Sequence, residues 1–250
     1  MFWAWCGALV IGISLGLLGS GGSILTVPIL LYLVGEPEKL AIAESLGIVA
    51  GISLIGAIPY AVKKEVHWKS LIYFGIPGMA GTYGGAALSQ FVSGQVQLLL
   101  FAAVMVIAAF MMIKDRKDLD QKDPISVSNW VLILEGLIVG VLTGLVGVGG
   151  GFLIIPALVI FGGLSMRLAV GTSLIIITMK SSIGFVKYID VLAAENLHIN
   201  WDLIVVFTLI GAVGSFVGNK VGAKISQKSL KKGFGYFLVV MGAYILYTNI

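Results

Sequence analysis

Residues 16–30 read GLLGSGGSILTVPIL, and residues 144–158 read GLVGVGGGFLIIPAL. The second lies over the first without a gap at a shift of 128, so that Gly16, Gly19, Gly21, Gly22 and Pro28 fall on Gly144, Gly147, Gly149, Gly150 and Pro156. Glycine inside a helix costs about 1 kcal/mol against alanine. A run of glycines within an oily segment, present twice, marks a backbone that leaves the helix at a set place.

The match extends well beyond the glycines. At the same shift Leu40-Ala41 lies over Leu168-Ala169, Ser45-Leu46 over Ser173-Leu174, Ser53 over Ser181, Gly56 over Gly184 and Tyr60 over Tyr188. A shift of 133 then pairs Trp68 with Trp201, Gly78 with Gly211, Gly81 with Gly214 and Gly85 with Gly218. The chain reads as a duplication: a first membrane repeat over 1–113, a charged cytoplasmic linker over 114–128 and a second repeat over 129–250.

The medium follows from composition. Apolar residues make up 58% of the chain and charged residues 11%, with a mean hydropathy of +1.05. Soluble domains carry about 25% charge, so the class is an all-α polytopic membrane protein. In such a protein the net charge of +4 reports orientation rather than nucleic-acid binding. The single cysteine, Cys6, forms no internal disulfide, and no Cys/His cluster has metal-ligand spacing. No cofactor is expected, and the apolar N-terminus reads as retained because it lacks a basic leader.

Apolar runs fall at 2–18, 22–34, 40–62, 70–91 and 96–113, and again at 129–146, 151–162, 168–187, 202–222 and 233–249. The first two runs of each half are short, which predicts a re-entrant or discontinuous helix pair meeting at the glycines, followed by three spanning helices. Either version gives an odd number of crossings, so the second copy enters the membrane upside down. With the 63–69 loop in the cytoplasm, the same side receives 114–128, 163–167 and 223–232, and these regions, with Lys220 at a span end, hold thirteen of the sixteen Lys and Arg. That is a strong positive-inside pattern, and it puts both termini on the non-cytoplasmic side of a plasma (cell inner) membrane. Tryptophans and tyrosines near the run ends, such as Trp68 and Trp201, read as interface anchors.

The glycine loops carry the functional reading. They lack the lysine-serine/threonine ending of a phosphate loop and do not sit in a strand–turn–helix unit. Consecutive glycines also do not form one packing face, unlike the stripes Gly81-x-x-x-Gly85 and Gly214-x-x-x-Gly218-x-x-x-Gly222, which suit helix contacts within one chain or across a homodimer. Irregular backbone at membrane depth must be buried in protein or face a watery cavity. Discontinuous helices at the midplane hold the substrate in many inverted-repeat carriers. Helix starts near Ser23 and Gly151 would offer free N–H groups and partial positive charge to an anion. The candidate binding residues are Gly19, Ser20, Gly21, Gly22 and Ser23 with Gly147, Gly149, Gly150 and Gly151. Ser45, Thr172 and Ser173 join them, either facing the loops or bonding back to their own helices. Lys180, twelve residues into its span, either serves the site or snorkels outward. Glu44 and Glu135 are candidate proton-coupling groups or headgroup-level residues, and His67 and His198 fall in loops.

The doubled G-x-G-G, apolar stretch and Pro, with A-x-x-x-S-L a dozen residues on, resembles the TauE/SafE family of membrane permeases. The stretches here are GSGGSILTVP (19–28) with AIAESL (41–46), and GVGGGFLIIP (147–156) with AVGTSL (169–174). The resemblance covers nearly the whole chain and implies transport of small anions, chiefly sulfur-containing ones such as sulfite and organosulfonates, often outward. This chain has Ser20 and Ser23 in the first loop where the second has Val148 and Gly151. The expectation is a secondary anion transporter that exports by alternating access, its inverted halves rocking about a glycine-lined midplane site. With no ATPase motif, a gradient, protons by default, drives it. The alternatives are an anion channel, an intramembrane enzyme and a membrane scaffold.

Overall fold

The computed structural model describes residues 2–19, 22–113, 129–147, 149, 151, 154–155, 158, 163–222 and 227–249. The linker, together with Ser20, Gly21, Val148 and Gly150, lies outside the described residues. The described chain is helical, with no strand among those residues. Its first half runs α1 Phe2–Leu18, α2 Gly22–Ile29, α3 Glu38–Val62, α4 Trp68–Ser70, α5 Ile76–Leu88 and α6 Gly94–Ile113. The second half contains α7 Asn129–Val146, α8 Met166–Ala194, α9 Trp201–Gly222 and α10 Gln227–Asn249. Among the described residues, four helices (α3, α7, α8 and α9) are long and apolar enough to cross a bilayer. Leucines, valines and tryptophans lie exposed along their outer faces, among them Leu54, Ile58, Leu134, Leu209 and Val213. This is an all-α polytopic membrane protein.

Two prolines shape the winding. Pro28, inside α2, has no N–H to continue the ladder, and the chain widens into a π stretch over Leu30–Val34 before Gly35 ends it in the left-handed region. Pro77 opens α5, and the turn before it, Leu71–Gly75, is likewise π-wound. The 70–91 run is therefore not one plain helix.

The first half's opening pair is a hairpin. A Cβ on Gly22 would lie 2.2 Å from the Ile11 carbonyl oxygen, and one on Gly7 would lie 2.8 Å from Ile29 Cγ2, so α2 returns antiparallel along α1. From Gly22 to Val34 the returning arm is about 20 Å long at 1.5 Å per residue, short of a core of about 30 Å. In the second half the chain turns at Gly147 and Gly149, and Gly151, Ile154, Ile155 and Leu158 are helical.

Long helices pair across the halves. α3 packs on α8, α1 on α9, α5 on α7 and α6 on α10. A Cβ on Gly184 would lie 3.2 Å from Leu46 Cδ1, and one on Gly56 would lie 4.0 Å from Leu174 Cδ1, so α3 and α8 pack antiparallel. In α1–α9 and α5–α7 the backbones touch. A Cβ on Gly12 would lie 1.9 Å from Gly211 O, on Gly16 2.1 Å from Ser215 O, on Gly81 2.3 Å from Leu137 O and on Gly85 2.2 Å from Val141 O. Gly81, Gly85, Gly214 and Gly218 are therefore used inside one chain, as small residues in membrane helix contacts are.

Polar contacts tie loops together at the two ends of the bundle. Arg167 pairs with Glu65 at 3.5 Å at one end, and Lys39 pairs with Glu195 at the other.

Candidate functional site

Gly19, Gly147 and Gly149 have φ of +67°, +77° and +61°, in the left-handed region that L side chains avoid. These residues make the two elbows. Each elbow is held by a serine from the other half. Ser45 Oγ donates to Gly147 O at 2.5 Å, and Ser173 Oγ donates to Gly19 O at 3.3 Å. Both hydroxyls also point at a carbonyl on their own helix, Ile42 O at 2.7 Å and Val170 O at 2.9 Å. One proton thus lies between two carbonyls in each case. The two sequence alternatives, facing the loop and bonding back to the helix, are both realised.

Packing fixes the same two glycines. A Cβ on Gly19 would lie 2.6 Å from Val170 Cγ1, and one on Gly147 would lie 2.3 Å from Ile42 Cγ2 and 2.9 Å from Ile42 O. Val170 and Ile42 are equivalents at the shift of 128. Turn geometry and close contact account for Gly19 and Gly147. Gly149 differs, because its bare Cα faces a hydroxyl: a Cβ there would lie 2.8 Å from Ser181 Oγ and 3.0 Å from Val49 Cγ1. This elbow tip sits in the groove between α3 and α8.

Of the remaining candidates, Gly22, Ser23 and Gly151 are buried at the starts of the returning arms. Thr26 bonds back to Gly22 O. Thr172 is engaged elsewhere, since its Oγ1 accepts from the His67 N–H at 2.8 Å. His67 in turn caps the helix that starts at Trp68, its side chain accepting from the Ser70 N–H. The same device recurs inverted: Glu44 Oε1 accepts from the Asn200 N–H at 2.9 Å, and Asn200 Oδ1 accepts from the Leu203 N–H. Glu44 and Thr172 are equivalents, as are His67 and Asn200. Glu44 is fully buried inside the protein, and its second oxygen makes no hydrogen bond.

Lys180 does not snorkel. The residue is 0% exposed, its stem runs along Gly78, and Nζ lies 5.9 Å from the centre of the Phe74 ring with no hydrogen-bond partner. Its neighbour Ser181 is the residue that faces an elbow. Glu135 Oε2 is also buried and unpaired. Ser53 and Ser181, which sequence reading matched as repeats without assigning to the site, carry buried hydroxyls with no partner. Among the described residues no group of three His, Cys, Asp or Glu could hold a metal ion.

The arrangement is a pair of glycine turns, buried in protein, each clamped by the opposite copy. Polar backbone stays desolvated there only when it is held, and these turns are held at defined points. Residues 4–245 match the family described as Sulfite exporter TauE/SafE. A "Probable membrane transporter protein" of Xylella fastidiosa (strain Temecula1) is 29% identical over 246 residues, covering 96% of this chain and 92% of its own. One from Methanocaldococcus jannaschii is 30% identical over 255 residues, covering 95% and 94%. YunE of Bacillus subtilis (strain 168), also named a probable membrane transporter protein, is 26% identical over 270 residues, covering 97% and 96%. No solved structure matches the chain. The chain belongs to the sulfite exporter TauE/SafE family.

Proposed function

We propose that this member of the sulfite exporter TauE/SafE family is a secondary transporter for small anions, chiefly sulfur oxyanions such as sulfite or organosulfonates. It exports them across the plasma membrane by alternating access about the two elbows. The observation that carries this reading is the reciprocal clamp, Ser45 on Gly147 O and Ser173 on Gly19 O, which keeps two stretches of non-helical backbone in place in the protein interior. The helix that begins at Gly22 follows the first of these turns, and the start of a helix suits an anion. Lys180, buried and unpaired one residue from Ser181, adds positive charge close by.

Inverted orientation of the two copies is supported by the antiparallel crossing of the equivalent helices α3 and α8. The end bearing Glu65 and Arg167 is the cytoplasmic one by the lysine and arginine count, which puts both termini outside. Protons are the default coupling ion. A homodimer would need a surface other than the glycine stripes, which are occupied within the chain.

The test is flux in vesicles containing purified protein, offered sulfite, sulfate, organosulfonates and chloride with and without a pH step. Saturable sulfite or sulfonate movement, driven uphill by the step, supports a proton-coupled carrier. Non-saturating flux that runs only downhill supports a channel, and no flux of any anion refutes the reading.

A further inference from the structure

Ser53 and Ser181 stand at equivalent places in the two copies, and neither residue exposes any surface. Several other buried hydroxyls find a carbonyl: Thr26 that of Gly22, Thr82 that of Gly78, Ser89 that of Ala86 and Thr143 that of Gly140. Ser53 and Ser181 do not, although a serine rotamer that reaches the preceding turn is open to any helix. An unpaired buried hydroxyl opposes folding. Here the same defect is kept twice, once in each copy. Thr208 also lacks a partner, but it packs on Gly51, and its equivalent, Gly75, has no side chain at all.

Position gives the pair a purpose. Both serines lie on the packed pair α3 and α8, Ser53 on the first and Ser181 on the second. Ser181 Oγ faces the bare Cα of Gly149 at the elbow tip, with Val49 of the other half closing the far side. Gly21 is the sequence equivalent of Gly149 and lies outside the described residues.

We infer that Ser53 and Ser181 are a pair of hydroxyl donors to the transported anion, one from each copy, and that they select an oxyanion carrying several oxygens over a halide. A hydroxyl offers one proton. Two donors on different helices are best matched by a ligand with separate acceptor atoms, as sulfite and sulfonates have. Binding then supplies the partners that the fold withholds. This inference rests on the anion-transport reading.

Purified full-length protein in detergent, titrated with sulfite, methanesulfonate and chloride, provides the test. Wild-type protein is expected to bind sulfite or methanesulfonate. Ser53→Ala and Ser181→Ala are each expected to weaken that affinity about tenfold or more, with Ser181→Thr partly restoring it. Without anion, the unfolding midpoint of both alanine variants should hold or rise, because an unpaired buried group has gone. Affinities within twofold of wild type would overturn the inference. A clear fall in the midpoint without anion would overturn it too, by assigning the hydroxyls to the fold. A wild-type protein that binds neither oxyanion fails the anion reading itself, a result visible before any variant is made.

Discussion

The first copy holds its partner's cap residue, Asn200, with the carboxylate of Glu44, whereas the second holds His67 with the hydroxyl of Thr172. The same split recurs elsewhere. Lys180 stands where the first copy has Ile52, with Gly78 beside the lysine and Gly211 beside the isoleucine. Glu135 has Gly7 as its equivalent, and the Met179–Gly75 contact is answered by Gly51 against Thr208. Backbone-level features are kept in duplicate: the serine clamps, the left-handed glycines and the carbonyl-to-glycine contacts. Charge is not. The two matching stretches share the frame and differ at the ionisable residues Glu44, Glu135 and Lys180.

The strongest way to stress this comparison is at the elbows. Gly19→Ala and Gly147→Ala each force a side chain into left-handed backbone, at about 1–2 kcal/mol, and add a clash. At Gly19 the nearest atoms all belong to the Val170 side chain, but at Gly147 they include the Ile42 backbone. Both variants should lose transport. Val170→Ala should restore part of the unfolding midpoint of Gly19→Ala, whereas Ile42→Ala should leave Gly147→Ala unrescued. Equal rescue at the two elbows would show that their contacts are not as unlike as described.

Next in size is Lys180→Ile, which makes the second copy imitate the first. Removing an unpaired buried cation should raise the thermal midpoint while lowering anion affinity about tenfold, read by titration with sulfite. Lys180→Met should likewise cost more affinity than Lys228→Met, and equal losses would remove Lys180 from any role in binding.

The smallest contrast concerns the cap holders. Thr172→Val leaves the His67 N–H without its acceptor and should cost about 1–3 kcal/mol. Glu44→Gln keeps a carbonyl oxygen for the Asn200 N–H and should cost less than about 1 kcal/mol. Denaturation of both variants, side by side, would reveal whether the carboxylate is needed for the fold at all.

Much of this was legible in the residues. Ungapped glycine and proline matches located the elbows, and the four-residue glycine spacing located helix contacts, because both depend on backbone sterics that a short stretch of chain already declares. The clamps were not legible as such. Ser45 meets Gly147 across 102 residues and Ser173 meets Gly19 across 154, so only the tertiary pairing of α3 and α8 reveals which carbonyl each serine serves. Lys180 had two readings because its helix is apolar on every side, and burial against Phe74 and Gly78 decides between them. The π winding before Pro77 was likewise hidden, since hydropathy records oiliness and not helical pitch.

The contact of α1 with α9, and of α5 with α7, backbone against backbone, has a mechanical corollary. Each close-packed pair takes one helix from before the 114–128 segment and one from after it, so the stiff blocks are mixed between the two matching stretches of sequence. Any hinge must be sought between these mixed blocks and the central α3–α8 cross, and cutting the chain at its linker would sever no moving part.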